Sequence, residues 1–464
     1  MPPDPLIAGY MNESWWTNLK SDEPDPMEVP GNYTRPELTE EEKKMMENPE
    51  LAELNKAKFD LVIPDIGYRV TKHLKGNYTN DAWKCLTIEC LCPHFNGTLT
   101  NENKCILPSG KPLTKATRKE YRTMTDDERH RYHKAFRTLM ETGIFDEIAV
   151  IHLYMVAKTH GKSVFWTWHR GYLKKLEYEL RKIDSDLFVP YWDTTLDQFL
   201  PNPADSIMWT DDFMGRSDEN GTVISGPAAH WTTLNSNQLI RRKNWLGYHG
   251  FLFHEGDLKA LLKTTQINAK NKMDMKLKHK FSCSQQLNLL ELLHASAHDF
   301  VGGDMQDLHS ASNDPVFYQL HSFIDLILEI WKQHRDPNCI LPGLSEFEND
   351  ETYEFLPRPT CSHQNPDCGS KYLFCDKTKQ HPRCTSKIRH NGNCTGFDNE
   401  DEPCLKEKCY ENQCLVNIKE LNSTELFTTY DYFDEAPKEE NQEDLELFNL
   451  SSRLRKFMAA LSMG

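Results

Sequence analysis

The 464-residue chain contains no apolar run of about 18–20 residues, so it offers no membrane-spanning segment. It also lacks an excess of positive charge: 54 Lys and Arg stand against 70 Asp and Glu, a formal net charge of −16. A nucleic-acid partner or an anionic membrane surface needs a basic face, and this balance argues against both. No Cys-x-x-Cys pair occurs among the 14 cysteines, which removes the zinc ribbons and fingers whose close pairs put two thiolates on one metal. The segment His294-Ala295-Ser296-Ala297-His298 lacks the glutamate of a zinc-protease helix, because Ala295 stands where that general base belongs. Gly161-Lys162-Ser163 lacks the upstream glycine of a phosphate-binding loop, with Val156 in its place. The opening Met1-Pro2-Pro3-Asp4-Pro5 has neither the basic start nor the apolar stretch of a signal peptide.

What the chain does have is enough apolar residue, 38%, for a sizeable core, and two unusual counts: 14 cysteines and 19 histidines. Eight cysteines fall between Cys361 and Cys414, and Cys85, Cys90, Cys92 and Cys105 form a second group. An even number at these spacings reads as disulfides formed in an oxidising compartment. Asn-x-Ser/Thr acceptor sites at Asn12, Asn32, Asn77, Asn96, Asn220, Asn393, Asn422 and Asn449 point the same way, so the protein is expected to be secreted.

Four regions are expected. Residues 1–117 form an acidic, Pro-rich arm, with a short helix near 40–55, and then the first cysteine group; residues 118–345 are helical. Residues 346–416 form a disulfide module where apolar residues are sparse, and 417–464 an acidic tail with a terminal amphipathic helix. Within the helical region Thr125 followed by three acids reads as a helix start running through Met140. Ile148, Ile151, His152 and Met155 share one helical face, as do His169, Leu173, Leu176 and Leu180. Helices over 287–301 and 316–333 place Leu290, His294, Ala297, His298 and Val301 on one stripe and His321, Ile324, Leu328 and Trp331 on another. Residues 194–280 read as long loops.

A single histidine on an apolar stripe is ordinarily a hydrogen-bonded core residue; six of them form a pattern. His294 and His298, at i and i+4, present two imidazoles one turn apart, and His321 adds a third from the next helix. His152, His160 and His169 make a second set of three, from a helix, a loop and a following helix. Imidazole-only ligation without thiolate or carboxylate suits copper, zinc or iron, and two adjacent sets suit a dinuclear centre that holds a small molecule between its metals. His130 and His133, on what reads as a solvated helix, and His309, in a loop, stay outside this pattern.

At these residues the chain resembles a known family. His160-x4-Phe165-x2-Trp168-His169-Arg170-x2-Leu173-x3-Glu177 is similar to the first copper signature of tyrosinases and molluscan haemocyanins, departing from it at Trp166. Asp314-Pro315-x-Phe317-Tyr318-x2-His321-x3-Asp325 is similar to the second, and Pro190-Tyr191-Trp192-Asp193, Gly226-Pro227 and Val301-Gly302-Gly303-Asp304-Met305 support the match. The cysteine-rich segment resembles, more loosely, those of secreted molluscan tyrosinases. The resemblance implies a mainly α fold with a four-helix dicopper core. One copper would be held by His152, His160 and His169, and the other by His294, His298 and His321, with zinc as the alternative metal.

The same resemblance gives the other marked positions their expected roles. Arg170 and Glu177 are expected to support the helix ends, and Asp325 to fix a ligand imidazole or anchor the bundle. Many family oxidases carry Asn where this chain has Ala295, and commonly His where it has Leu320; both changes favour oxidation of o-diphenols over hydroxylation of monophenols. The implied activity is O2-dependent oxidation of phenols to o-quinones. The alternatives are a non-oxidase member of the fold, such as a zinc-containing tautomerase or a binding protein, and a haemocyanin-like O2 carrier.

Overall fold

The computed structural model describes residues 81–415, apart from 163, 235–237, 244–245, 248–249, 260, 262–282, 335–346, 348 and 398–399. The expected helices near 40–55 and in the C-terminal tail lie outside the described residues. Five long helices dominate: α1 (Asp126–Glu141), α2 (Ile144–Thr159), α3 (Phe165–Ile183), α4 (Cys283–Val301) and α5 (Pro315–His334). They match the expected helices, with α4 beginning four residues before the expected Leu287.

Local chemistry sets their ends. Thr125 accepts a hydrogen bond from the Glu128 amide while the Glu128 carboxylate accepts one from the Thr125 amide, and Asp126, Asp127 and Glu128 place negative charge at the positive end of α1. Gly143, at φ 81°, makes the tight turn from α1 into α2, a conformation that costs a residue bearing a Cβ. The motif residues Asp314-Pro315 start α5. The Asp314 carboxylate accepts from the Val316 amide at 3.0 Å, and Pro315 fills the first turn, where its missing N–H is no loss. Arg242 clamps the same carboxylate with two bonds of 2.7 and 2.9 Å, pinning a loop to the start of the helix.

Helix α3 is central, packing on α1, α2 and α5, and is buried on nearly every side. Apolar burial stabilises it through Phe165, Leu173, Leu176 and Leu180, at roughly 1.5–3 kcal/mol per large side chain. Its buried charges survive because each has a partner. Arg118 forks onto Glu177 at 2.8 and 3.0 Å and reaches Asp325 at 2.9 Å, while Arg170 reaches Asp325 at 2.7 Å and Glu329 at 2.5 Å. This cluster sits in the middle of α3 and α5, so Arg170 and Glu177 brace the bundle's centre rather than the expected helix ends.

Arg118 ends strand β3 (Ala116–Arg118), which pairs in parallel with β4 (Tyr353–Phe355), and its guanidinium lies 3.9 Å from the Tyr353 ring. This pairing crosses both expected boundaries of the helical region, at 117/118 and at 345/346. The first cysteine group forms the Cys85–Cys90 and Cys92–Cys105 disulfides beside the short pair β1 (Thr98–Leu99) and β2 (Cys105–Ile106). Lys174 of α3 ties this segment to the core by donating to the Cys85 carbonyl and to Asp350.

Beyond β4 two antiparallel hairpins follow: β5 (Leu373–Asp376) with β6 (Arg383–Ser386), and β7 (Lys408–Tyr410) with β8 (Gln413–Leu415). Four disulfides hold them: Cys361–Cys375, Cys368–Cys384, Cys394–Cys409 and Cys404–Cys414. The expected disulfide module is therefore present, and it is joined firmly to the helical core. Arg129 of α1 lies between the Phe213 and Tyr372 rings and donates to the Tyr372 hydroxyl, Ile207 N donates to Lys387 O, and Arg358 reaches Asp193 at 2.6 Å. Among the described residues no helix is long and apolar enough to cross a membrane.

Candidate metal centre

Helices α2, α3, α4 and α5 bring all six expected histidines to one interior. His152 comes from the middle of α2, His160 from the residue that ends it, and His169 from the second turn of α3. His294 and His298 lie one turn apart on α4, and His321 lies in the second turn of α5. Within each set of three, one ring nitrogen per histidine lies within 4.8 Å of the others. In the second set Nε2 of His294 is 2.8 Å from that of His298 and 3.0 Å from that of His321. In the first set the ring centroids are 5.1–5.6 Å apart. The two sets share a wall: His169 and His321 stack with centroids 4.4 Å apart and planes at 15°.

Backbone carbonyls orient the rings. His169 Nδ1 lies 2.7 Å from Phe165 O and His298 Nδ1 lies 2.7 Å from Met305 O, while His160 and His294 make longer contacts of 3.2 and 3.3 Å with Val156 O and Glu291 O. A hydrogen on Nδ1 in these four rings leaves the Nε2 lone pair free to bind, the usual arrangement of a metal-ligating histidine. Phe165 and Phe317 complete the walls: Phe165 lies against His169 and His294, and Phe317 against His152 and His321, with centroids 4.1–5.1 Å apart.

Electrostatics favour neutral imidazoles. Burial, reinforced by neighbouring histidines, holds His152, His169, His294 and His321 well below the usual histidine pKa. Burial also pushes His160 and His298 down to about 4, against the opposing effect of their backbone hydrogen bonds. The donor set fits a dinuclear metal. Nε2 of His160 and His169, both ring nitrogens of His152 and Nδ1 of His321 are buried without a hydrogen bond, which a buried polar atom tolerates poorly unless it binds something.

The other marked positions fall differently. Asp325 accepts from Arg118 and Arg170, which anchors the bundle one turn beyond His321. Leu320 is fully buried, whereas Ala295 is exposed on α4. His133 is not on a solvated surface as expected: α1 buries Tyr132, Phe136 and Leu139 on one side, and His133 is half-buried, 2.5 Å from the Tyr121 hydroxyl. It lines a cavity of about 500 Å3 between α1 and the disulfide module that contains none of the six clustered histidines. His309 lies in the loop between α4 and α5 with its amide on Asp307.

Two residues of the site are missed by sequence reasoning. Arg118 is the hub of the buried charge cluster, and only the two buried acids that need a cation hint at it. Glu291, one turn before His294, accepts a hydrogen bond from the Gly161 amide at 2.6 Å and so links the loop carrying His160 to the helix carrying the other set. Burial of its carboxylate pushes its pKa up to about 7.

The fold and the centre thus define a mainly helical protein whose core holds two adjoining three-histidine clusters. Residues 142–334 match the common central domain of tyrosinase. The chain is 34% identical over 397 residues to a tyrosinase-like protein of Caenorhabditis elegans, covering 78% of this chain and 56% of that protein. It is 30% identical over 317 residues to tyrosinase-like protein 2 of the mollusc Margaritifera margaritifera, covering 59% of this chain and 68% of that protein. It is 27% identical over 244 residues to the tyrosinase of Streptomyces antibioticus, covering 49% and 86%. A polyphenol oxidase from Thermothelomyces thermophila aligns in structure with a TM-score of 0.38 at 18% identity, covering 50% of this chain and 74% of that one. The chain spans little more than half the length of the Caenorhabditis elegans relative, 56%, and of tyrosinase-like protein 1 of Margaritifera margaritifera, 57%. The chain belongs to the tyrosinase family.

Proposed function

We propose that the protein is a secreted tyrosinase-like copper oxidase that uses O2 to oxidise phenols, preferentially o-diphenols, to o-quinones. The observation that carries this reading is the shared wall of the two clusters, with His169 and His321 stacked at 4.4 Å, because a dinuclear centre needs two sites close enough to act on one small molecule. In this reading His152, His160 and His169 hold one copper and His294, His298 and His321 the other. Two coppers there would supply O2 activation and the two-electron oxidation of the bound phenol.

The chain's own contribution is positioning and exclusion. Backbone carbonyls hold the Nδ1 side of four rings, keeping their Nε2 atoms aimed at the metal positions. Phe165 and Phe317 keep bulk water from the rings. The Arg118–Glu177–Asp325–Arg170 cluster fixes α3 against α5, and so His169 against His321. Positions 295 and 320 offer no polar side chain to accept the phenolic proton, which handicaps a monophenol more than a catechol, whose first proton leaves more easily. The disulfides support an oxidising compartment.

The test is metal analysis of purified protein together with O2 uptake on a catechol and on a matched monophenol. Two coppers per chain and faster O2 uptake with the catechol are expected. Zinc in place of copper overturns the oxidase reading in favour of a changed metal. Two coppers that bind O2 reversibly without turning over catechol leave a carrier instead.

A further inference from the structure

We propose that Asn96 and Asn220 carry N-linked glycans that shield two exposed apolar residues, Leu99 and Leu239. The inference rests on the secretory routing proposed above, which the experiment below supplies independently. Three of the chain's acceptor sites fall within the described residues, and two of them, Asn96-Gly97-Thr98 and Asn220-Gly221-Thr222, are presented alike. Asn96 is exposed at the end of a short helical turn, at φ 55°, and Thr98 is exposed at the start of β1. Between them Gly97 is packed on the Cys92–Cys105 disulfide so closely that a Cβ would meet Cys105 Sγ at 2.5 Å. The backbone is thus pinned inward at Gly97 while the acceptor and its threonine face out.

Asn220 is exposed at the tip of a turn closed by Asp218, whose carboxylate accepts the amides of Asn220 and Thr222 at 2.9 and 2.8 Å. Neither the Asn96 nor the Asn220 carboxamide makes a hydrogen bond among the described residues, so each Nδ2 is available. Asn393 differs: its Oδ1 accepts both the amide and the hydroxyl of Thr395, and its own amide is tied to Asp205 across the seam with the core. No glycan is assigned there.

What the glycans would cover is also on the surface. Leu99, 44% exposed, follows Thr98 directly in β1, and Leu239, 39% exposed, lies two residues from Arg241, whose guanidinium donates to the Asn220 carbonyl. They are two of only four large apolar side chains this exposed among the described residues. A hydrated oligosaccharide beside each would keep it from pairing with another molecule. In the transfer itself a bond forms between Asn Nδ2 and the sugar C1 as the C1–O bond of a lipid-diphosphate-linked oligosaccharide breaks. The diphosphate departs with the electron pair, Nδ2 loses one proton, and nothing is oxidised or reduced.

The test is expression of the full chain behind a secretion signal in a eukaryotic host, followed by peptide mass spectrometry before and after enzymatic release of N-glycans. Glycan-bearing peptides are expected at Asn96 and Asn220, each converted to Asp on release. Asn96→Gln and Asn220→Gln should each remove one glycan step. The double variant should self-associate in light scattering at concentrations where the parent is monodisperse, and adding Leu99→Ser and Leu239→Ser should reverse this. Unmodified Asn96 or Asn220 in the secreted, oxidised protein overturns the assignment. Glycans at both sites with no change in self-association of the double variant overturns the shielding role. Failure of the oxidase reading leaves these outcomes unchanged, because none of them depends on copper.

Discussion

Between Ala116 and His334 the protein is held by packing, and between Cys361 and Leu415 by four disulfides and two short hairpins. The first region buries five of the six clustered histidines, with His160 half-buried, and a cluster of paired charges inside an apolar core. The second buries mainly its own cystines, with Leu200 and Leu196 of the core supplying apolar neighbours. A metal centre made of neutral imidazoles needs the first kind of environment, since only a packed interior both excludes water and fixes rings to a fraction of an ångström. The cystine-rich region has no such demand, and covalent links hold what its small core would not.

The sharpest way to break this contrast is to remove a ligand from the packed side. His298→Ala should lower bound copper from two to one per chain and reduce catechol oxidation by more than about 100-fold, the upper range already seen for removing mere supporting groups. Metal analysis with turnover measures it, and circular dichroism should show the helices retained. Two coppers with undiminished turnover would remove His298 from the centre.

Next in size is the buried charge cluster. Arg170→Met leaves one oxygen of Asp325 without its cation inside the core, while half-buried Glu329 keeps Lys332, at a cost of about 3–5 kcal/mol in denaturant unfolding. On the other side, replacing Cys394 and Cys409 together by Ser opens a link spanning 15 residues and should cost about 3 kcal/mol, confined to the β7–β8 hairpin. Hydrogen exchange separates the two: the first variant should loosen α3 and α5, the second only the module.

Acid should also act on the two regions differently. In the unfolded chain the six imidazoles titrate near 6.5, whereas in the fold burial keeps them neutral, down to about 4 for His160 and His298. The unfolded chain therefore binds more protons as pH falls through about 6.5, and metal-free protein should lose stability progressively from there to about 4. The module contributes none of these histidines, and its disulfides do not titrate. Thermal melts of the metal-free protein across this range should show the core melting earlier with falling pH; an unchanged melt would mean the rings are not held neutral.

Much of this was legible in the sequence because the signals were periodic. Histidines on apolar stripes mark their own helices, Thr125 and Asp314 mark helix starts, and crowded cysteines mark the module. What escaped was contact between residues far apart in the chain. The pairing of Ala116–Arg118 with Tyr353–Phe355 joins two three-residue segments more than two hundred positions apart, too short to carry a pattern. Arg118 could not be known as the partner of Glu177 and Asp325 until that pairing placed it, and Arg170 and Glu177, two turns apart, fitted helix ends as readily as the bundle's centre. His133 escaped for a similar reason, since its half-buried place depends on Tyr121 from the preceding segment.

The smallest expected effect refines the contrast within the packed side itself. His160 ends α2 and precedes an exposed turn, so it lacks the helical enclosure of the other five, and the Glu291–Gly161 hydrogen bond ties that turn to α4. Glu291→Ala removes the acceptor and should weaken copper binding about 10-fold at the site containing His160, with less effect on the other. Glu291→Gln keeps an oxygen for the Gly161 amide and should recover most of that affinity, which separates holding the loop from supplying negative charge. Competitive copper titration of the two variants measures the difference. If Gln proves as weak as Ala, the charge of Glu291 matters rather than its grip on the turn, and the first cluster is held by α2 and α3 alone.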